Sequence, residues 1–280
     1  MLDYEFMRTA FLAGAIVALV VGPIGYFLVL RREVFAGHAL SHIGFAGATG
    51  AALAGVAPLW GLLLFTLAGG LVMGRLGERA RNRDLAIGIV LAMALGLGTL
   101  FLHFYTSYAR EGTALLFGNV LGISHGMLTA LAVMAVLCLG GLGLIARPLL
   151  AASLDPDIAE ARGVSPRLLS MMFLSLVALA VSETVQVVGV LLLLSLLIAP
   201  PATASRLTSK VWKAVTLAVP LALLETWAGL VCAYYTDWPV SFWISALGAA
   251  LYFGAGLLPP YLLDPVPPGS APGGGRHPHH

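Results

Sequence analysis

The sequence predicts an all-α, polytopic membrane protein with roughly eight or nine transmembrane helices, the number its length allows at about 20 apolar residues per span. Three observations carry this. Of its 280 residues 59% are hydrophobic and only 10% charged, against about a quarter charged in a soluble domain. The apolar residues fall in runs of roughly 14 to 25, lengths that suit membrane helices and exceed the short alternating strands of a membrane barrel. Lys and Arg gather in alternate connections between those runs. A water-soluble enzyme cannot clothe its surface with so few charges. A net charge of +2 builds no groove for a polyanion.

The spans follow in order along the chain. The first covers residues 6–30 and stops at Arg31 and Arg32. It is full length and lacks a small-residue cleavage site, so it reads as a retained span. The second and third cover residues 36–56 and 58–76, and the polar GERARNRD follows. The fourth covers 85–102. A mixed stretch and a short apolar piece at 113–123 lead to the fifth, 126–146. After a polar segment at 151–167 come the sixth and seventh, 168–181 and 185–204, divided by SETVQ. The eighth and ninth are 211–234 and 240–258. The short sixth span and the 113–123 piece leave the count at eight or nine. Residues 1–262 form one transmembrane domain, and 263–280 form a Pro/Gly/His tail with no apolar content to order it. The glycines of the second span, Gly44, Gly47, Gly50 and Gly55, read as helix-packing positions. Cys138 and Cys232 lie inside apolar runs and read as packing residues.

Orientation comes from the cations. With the GERARNRD loop in the cytoplasm, alternate counting places Arg31, Arg32, Arg75, Arg79, Arg81, Arg83, Arg147, Arg162, Arg167, Arg206, Lys210, Lys213 and Arg276 inside. Only Arg8 and Arg110 fall outside. The positive-inside rule then sets the N-terminus outside and the C-terminus inside.

Ionisable groups within spans are costly and mark interiors or water-filled paths. There are few: His38, His42, Glu183 and Glu225. His38 and His42, in FAGHALSHIG, are four residues apart, which sets both imidazoles on one helix face with Cβ atoms about 6 Å apart. Two neutral imidazoles at that reach fit one divalent transition-metal ion. The competing reading is a pair of edge histidines satisfied by neighbouring carbonyls. HALSH lacks the Glu of a zinc-protease motif. Glu225, in LALLETWAGL, needs a partner, a proton or a cation. Glu183 and Gln186, at SETVQ, read as helix-end residues.

The segment ASLDPDIAEARGVSPRLL is too short and too polar to span. Asp155 fits a helix cap with Pro156 at the first position. Asp157 and Glu160 suit the helix's N-terminal half, and Gly163 suits its end. The product is a small helix on the cytoplasmic face, at about residues 154–164.

Four stretches resemble the permease subunits of ABC-type importers for zinc, manganese or iron, the ZnuB-like group. They are GYFLVLRREVFAGHALSHIGFAGATGAALAG, RDLAIGIVLAMALGLGTL, LLFGNVLGIS and the long DPDIAEARGVSPRLL…LLIAPPATASRLT. The likeness extends over residues 6–258 and implies a transporter of the bacterial inner membrane. Two permease copies would form a homodimer. Cytoplasmic ATPase subunits would dock on the coupling helix, through Asp155, Asp157, Glu160, Ala161 and Gly163. An extracytoplasmic binding protein would deliver the ion. No permanently bound cofactor is implied. The chain has no phosphate-binding Gly-x-x-x-x-Gly-Lys, so it is not itself the ATPase.

In that family a Gly-Asp-Ala-x-Ser-His motif opens the second span and belongs to the metal path. Its His falls on His42, and its Asp is replaced here by His38. Nitrogen in place of carboxylate oxygen tilts the expectation to Zn²⁺ over Mn²⁺ or Fe²⁺. Glu225, water, or the second copy's pair would complete the ligands. The tail histidines His277, His279 and His280 lie on a Gly-rich tether that fixes no geometry. The alternative class is an ion-coupled secondary transporter with Glu225 as its coupling group.

Overall fold

The computed structural model describes residues 4–76, 83–104, 118, 122–161, 163, 165–190 and 192–264. These residues form helices and no strand. They are α1 (Glu5–Leu30), α2 (Val34–Leu53), α3 (Pro58–Leu76), α4 (Arg83–Phe104), α5 (His125–Leu154), α6 (Pro156–Ala161), α7 (Pro166–Val188), α8 (Leu193–Leu207), α9 (Val211–Thr236) and α10 (Val240–Gly256). Six of them, α1, α3, α4, α5, α7 and α9, are long and apolar enough to cross a membrane. The all-α, polytopic class predicted from the sequence therefore holds, with six rather than eight or nine spans meeting that length and hydropathy among the described residues.

Helix α1 is the hub. On one side it packs against α8 and α9, which pack with α10. On the other it meets α5 and α7, and α7 joins it to the layer of α2, α3 and α4. The central helices α1 and α7 are mostly buried within the protein, whereas α4 exposes Leu85, Ile89 and Met93. In a bilayer such an outer apolar face meets acyl chains rather than water.

Small residues decide how closely these helices approach, because lipid supplies no hydrophobic drive to bring them together. Gly47 of α2 and Gly61 of α3 face each other so closely that a Cβ on either would strike the other's carbonyl oxygen. Gly44 sits against the Thr66 methyl and Leu62, and Gly50 against the Phe101 ring. Gly44, Gly47 and Gly50 thus form a packing seam, as expected, whereas Gly55 lies beyond the end of α2 at φ 73° with nothing against it and is a turn residue instead. At the α1–α8 crossing, Pro201 has no N–H to donate to the Leu197 carbonyl four residues back. That oxygen instead approaches Gly25, where a Cβ would collide with it.

One sequence expectation fails. SETVQ does not divide two spans: α7 runs unbroken through Ser182–Gln186 and stops at Gly189, whose φ of 82° only glycine adopts freely. The sequence cue was a cluster of polar residues. Within the bundle the hydroxyls and the amide satisfy themselves locally, so no break is needed. Ser182 and Thr184 donate back to Ala178 and Ala180, and Gln186 donates to the Ser182 carbonyl. Ser182 also bonds Thr66 of α3 at 2.8 Å. Glu183 is consequently not at a helix end. It is fully buried, and neither carboxylate oxygen has a hydrogen-bond partner. The 113–123 piece lies outside the described residues, apart from Gly118 and residues 122–123.

The two ends of the bundle differ in charge. At one end Arg31 donates to Ser153, and Arg167 donates to the Arg75 carbonyl at 3.1 Å. There too the chain after α10 folds back along the α8–α9 connection. Tyr261 N–H donates to the Arg206 carbonyl and Leu263 N–H to the Leu207 carbonyl. Asp264 then receives Thr208 Oγ1, the Ser209 N–H and, at 2.9 Å, Lys213 Nζ. The Thr208 and Lys213 hydrogen bonds hold its carboxyl well below the usual carboxylate range. The opposite end carries the exposed Glu5–His125 contact at 2.9 Å and the aromatic group of Trp238, Phe242 and Trp243. Aromatic belts of this kind mark the membrane–water boundary.

Candidate functional site

His38 and His42 lie one turn apart in α2, and the helix brings their rings together. The centroids are 4.7 Å apart and the planes nearly perpendicular, at 88°. Both residues are half-buried. The Nδ1 atom of each ring is buried with no hydrogen-bond partner. The reading of edge histidines satisfied by carbonyls therefore does not fit at Nδ1. An unpartnered imidazole nitrogen in a bilayer is expensive, and a lone pair of that kind is also a metal donor. The pair is carried on a rigid platform. Ala39, Leu40 and Ile43 are buried around it, and Ser41 turns back to the His38 carbonyl at 2.7 Å.

Glu225 is placed elsewhere within the protomer. It lies on α9, which packs against α1, α8 and α10. Ser195 of α8 donates to Oε1 at 3.1 Å, and Gly248 of α10 leaves room for the carboxylate. Oε2 has no partner. Among the described residues no three His, Cys, Asp or Glu side chains gather into a metal-binding group. The protomer thus offers two adjacent imidazoles and a separate buried carboxylate rather than a closed cage. Sequence reasoning missed the depth of Glu183, which a helical reading through SETVQ would have found by counting its position along α7.

At the basic end α5 closes at Asp155, whose Oδ1 accepts the Asp157 N–H at 3.1 Å. This starts α6, with Pro156 at its first position and Ala161 its last residue. Gly163, at φ 81°, receives its turn by donating to the Glu160 carbonyl. Asp155, Asp157, Glu160 and Gly163 are all exposed. The helix is shorter than the 154–164 expected, but its cap and its stop are the residues expected. Ser165 then caps α7 by accepting from the Leu168 N–H.

A bundle of membrane-length helices with a small exposed helix at its basic end defines a polytopic membrane protein. The chain belongs to the ABC 3 transport family, whose model matches residues 3–258. It is 33% identical over 254 residues to a protein of Haemophilus influenzae named "Probable iron transport system membrane protein", covering 90% of this chain and 93% of that one. It is 31% identical over 238 residues to the "Manganese transport system membrane protein MntC" of Listeria monocytogenes, covering 84% of each. The fold also matches the structure titled "PsaBC from Streptococcus pneumoniae in complex with Fab". There the TM-score is 0.80 and the identity 23%, over 93% of this chain and 94% of that one.

Proposed function

We propose that this chain is the permease subunit of an ABC importer for a divalent transition-metal ion, with His38 and His42 on the ion's path. The observation that carries the reading is the pair of adjacent imidazoles whose buried Nδ1 atoms bond to nothing in the protein. Relatives named for manganese and iron transport support a metal as cargo. Within that class, two nitrogens favour Zn²⁺ over the harder Mn²⁺.

Two ligands suit a path. A closed four-ligand site holds zinc for structure, whereas an incomplete one releases it. Water or a second copy's pair supplies the remaining contacts as access switches. A binding protein delivers the ion at the aromatic end. Cytoplasmic ATPase subunits seat on α6, through Asp157, Glu160 and the Gly163 turn, at the basic end of a homodimer in the bacterial inner membrane. The positive-inside rule supports that orientation, since Arg31, Arg75 and Arg167 share this end. The chain supplies the gate and the partner supplies the hydrolysis.

The test is ion uptake by the assembled transporter in proteoliposomes, with Zn²⁺, Mn²⁺ and Fe²⁺ in competition. His38→Ala and His42→Ala are expected to lower uptake at least about tenfold, since even an outer-shell partner of a metal ligand is worth that much, with membrane insertion intact. Unchanged uptake in both variants would remove the pair from the path. His38→Asp is expected to shift preference from Zn²⁺ towards Mn²⁺.

A further inference from the structure

Arg31 closes α1 at the corner before α2. The corner is tight: Arg32 takes the left-handed conformation, at φ 56°, and the Glu33 N–H donates back to the Leu28 carbonyl. Such strain in a non-glycine residue persists only where neighbours fix it. Glu33 is the N-cap residue of α2. The side chains of Arg31 and Glu33 are only 2% and 1% exposed, and Arg31 Nε lies 3.7 Å from Glu33 Oε2. From this point Arg31 reaches two further helices. Its Nη1 donates to Ser153 Oγ at 3.2 Å, in the last turn of α5. Its guanidinium stands over the Phe173 ring of α7, at 5.4 Å from the centroid. Phe173 is fully buried.

These partners have a shared meaning in the chain. Helices α5 and α7 are the two legs from which α6 hangs. Ser153 is three residues before Pro156, and α7 begins five residues after Ala161. Glu33 is five residues before His38. One buried guanidinium therefore holds both legs of the ATPase-facing helix and the base of the helix that bears the imidazole pair. A planar fork with several fixed donors suits this three-way tie, and a lysine ammonium does not.

We infer that Arg31 is the positioning residue that transmits displacement of α6 to α2, so that nucleotide-driven movement at the basic end reorients His38 and His42. Buried charge networks change between discrete arrangements rather than deforming smoothly, which fits a switch. The inference rests on the function proposed above and deepens it.

The experiment uses the full transporter, permease with its ATPase and binding protein, in proteoliposomes. ATP hydrolysis and Zn²⁺ uptake are measured in the same vesicles. Arg31→Gln and Arg31→Lys are expected to lower the uptake-to-hydrolysis ratio about tenfold, within the range of typical coupling free energies. Hydrolysis itself should remain within about twofold. Ser153→Ala and Phe173→Leu, each removing one tie, are expected to lower the ratio less, and Lys is not expected to rescue the Arg31 position. A ratio equal to wild type overturns the inference, as does a proportional fall of hydrolysis and uptake, which marks a merely structural role. If the Arg31 variants fail to assemble, the Ser153 and Phe173 variants decide by the same criterion. Failure of the wild-type complex to take up any of the three metals with ATP overturns the functional reading instead.

Discussion

Replacing Gly47 by alanine should weaken the protein although alanine is the better helix former. An added Cβ at Gly47 would lie 2.6 Å from the Phe65 Cβ and closer still to the Gly61 carbonyl oxygen. Ordinary contact between carbons needs about 3.5 Å or more, so α2 and α3 must part by roughly 1 Å. Neither obstacle is the movable tip of a side chain. Overpacking of this kind costs about 1–3 kcal/mol. The helix-propensity gain of alanine returns only about 0.5–1 kcal/mol. The net expectation is a loss of about 0–2.5 kcal/mol from those two terms, centred near 1 kcal/mol. Gly143, on α5, is the control, because a Cβ there meets nothing. Gly143→Ala should leave stability unchanged or slightly raised. The assay is thermal unfolding of both variants in nanodiscs, followed by Zn²⁺ uptake, since α2 carries the histidine pair. Equal melting temperatures for the two variants would refute the close-approach argument.

Three further outcomes are expected. Asp157→Arg or Glu160→Arg should reduce co-purification of the ATPase several-fold, about the size of losing a rim ion pair, with the permease still inserted; normal coupled hydrolysis would clear α6 of the docking role. Glu183→Leu should raise stability by about 1–3 kcal/mol, since it removes a buried carboxylate with no partner; a lower melting temperature would show that the carboxylate is bound in the working protein. The Asp264 strap should hold in mild acid. Its folded carboxyl lies below the unfolded value, so its contribution is complete above about pH 4 and is lost as the pH falls through the folded value. Proteolysis after residue 258 should therefore stay slow down to about pH 4 in wild type and become fast at neutral pH in Asp264→Asn; equal cleavage rates would sink the clamp.

The sequence made the helices legible because bilayer thickness dictates run length, and the order of α1 to α5, α9 and α10 follows from it. The cap at Asp155 and the stop at Gly163 were readable because both are local backbone chemistry. The misplaced break after Val181 has the opposite cause. Polar residues end a span only when they face water, and Ser182 faces Thr66 instead, a contact 116 residues distant. The histidine pair was visible through its spacing of four. The separation of Glu225 from that pair was not, because it depends on α9 packing with α8 and α10 rather than with the α2 layer. The Arg31 junction was likewise hidden. RR at a span end reads as topology alone until folding brings Ser153 and Phe173 to it.

Gly118 rests against the Val188 carbonyl carbon and the Gly189 nitrogen, and both glycines have positive φ. Gly118 thus meets the main chain at the end of α7 with no side chain between. At 15 residues α8 is only about 22 Å long, shorter than the hydrocarbon layer, which is about 30 Å thick. A methyl group added at Gly118 would strike the Val188–Gly189 main chain and push this position away from the end of α7.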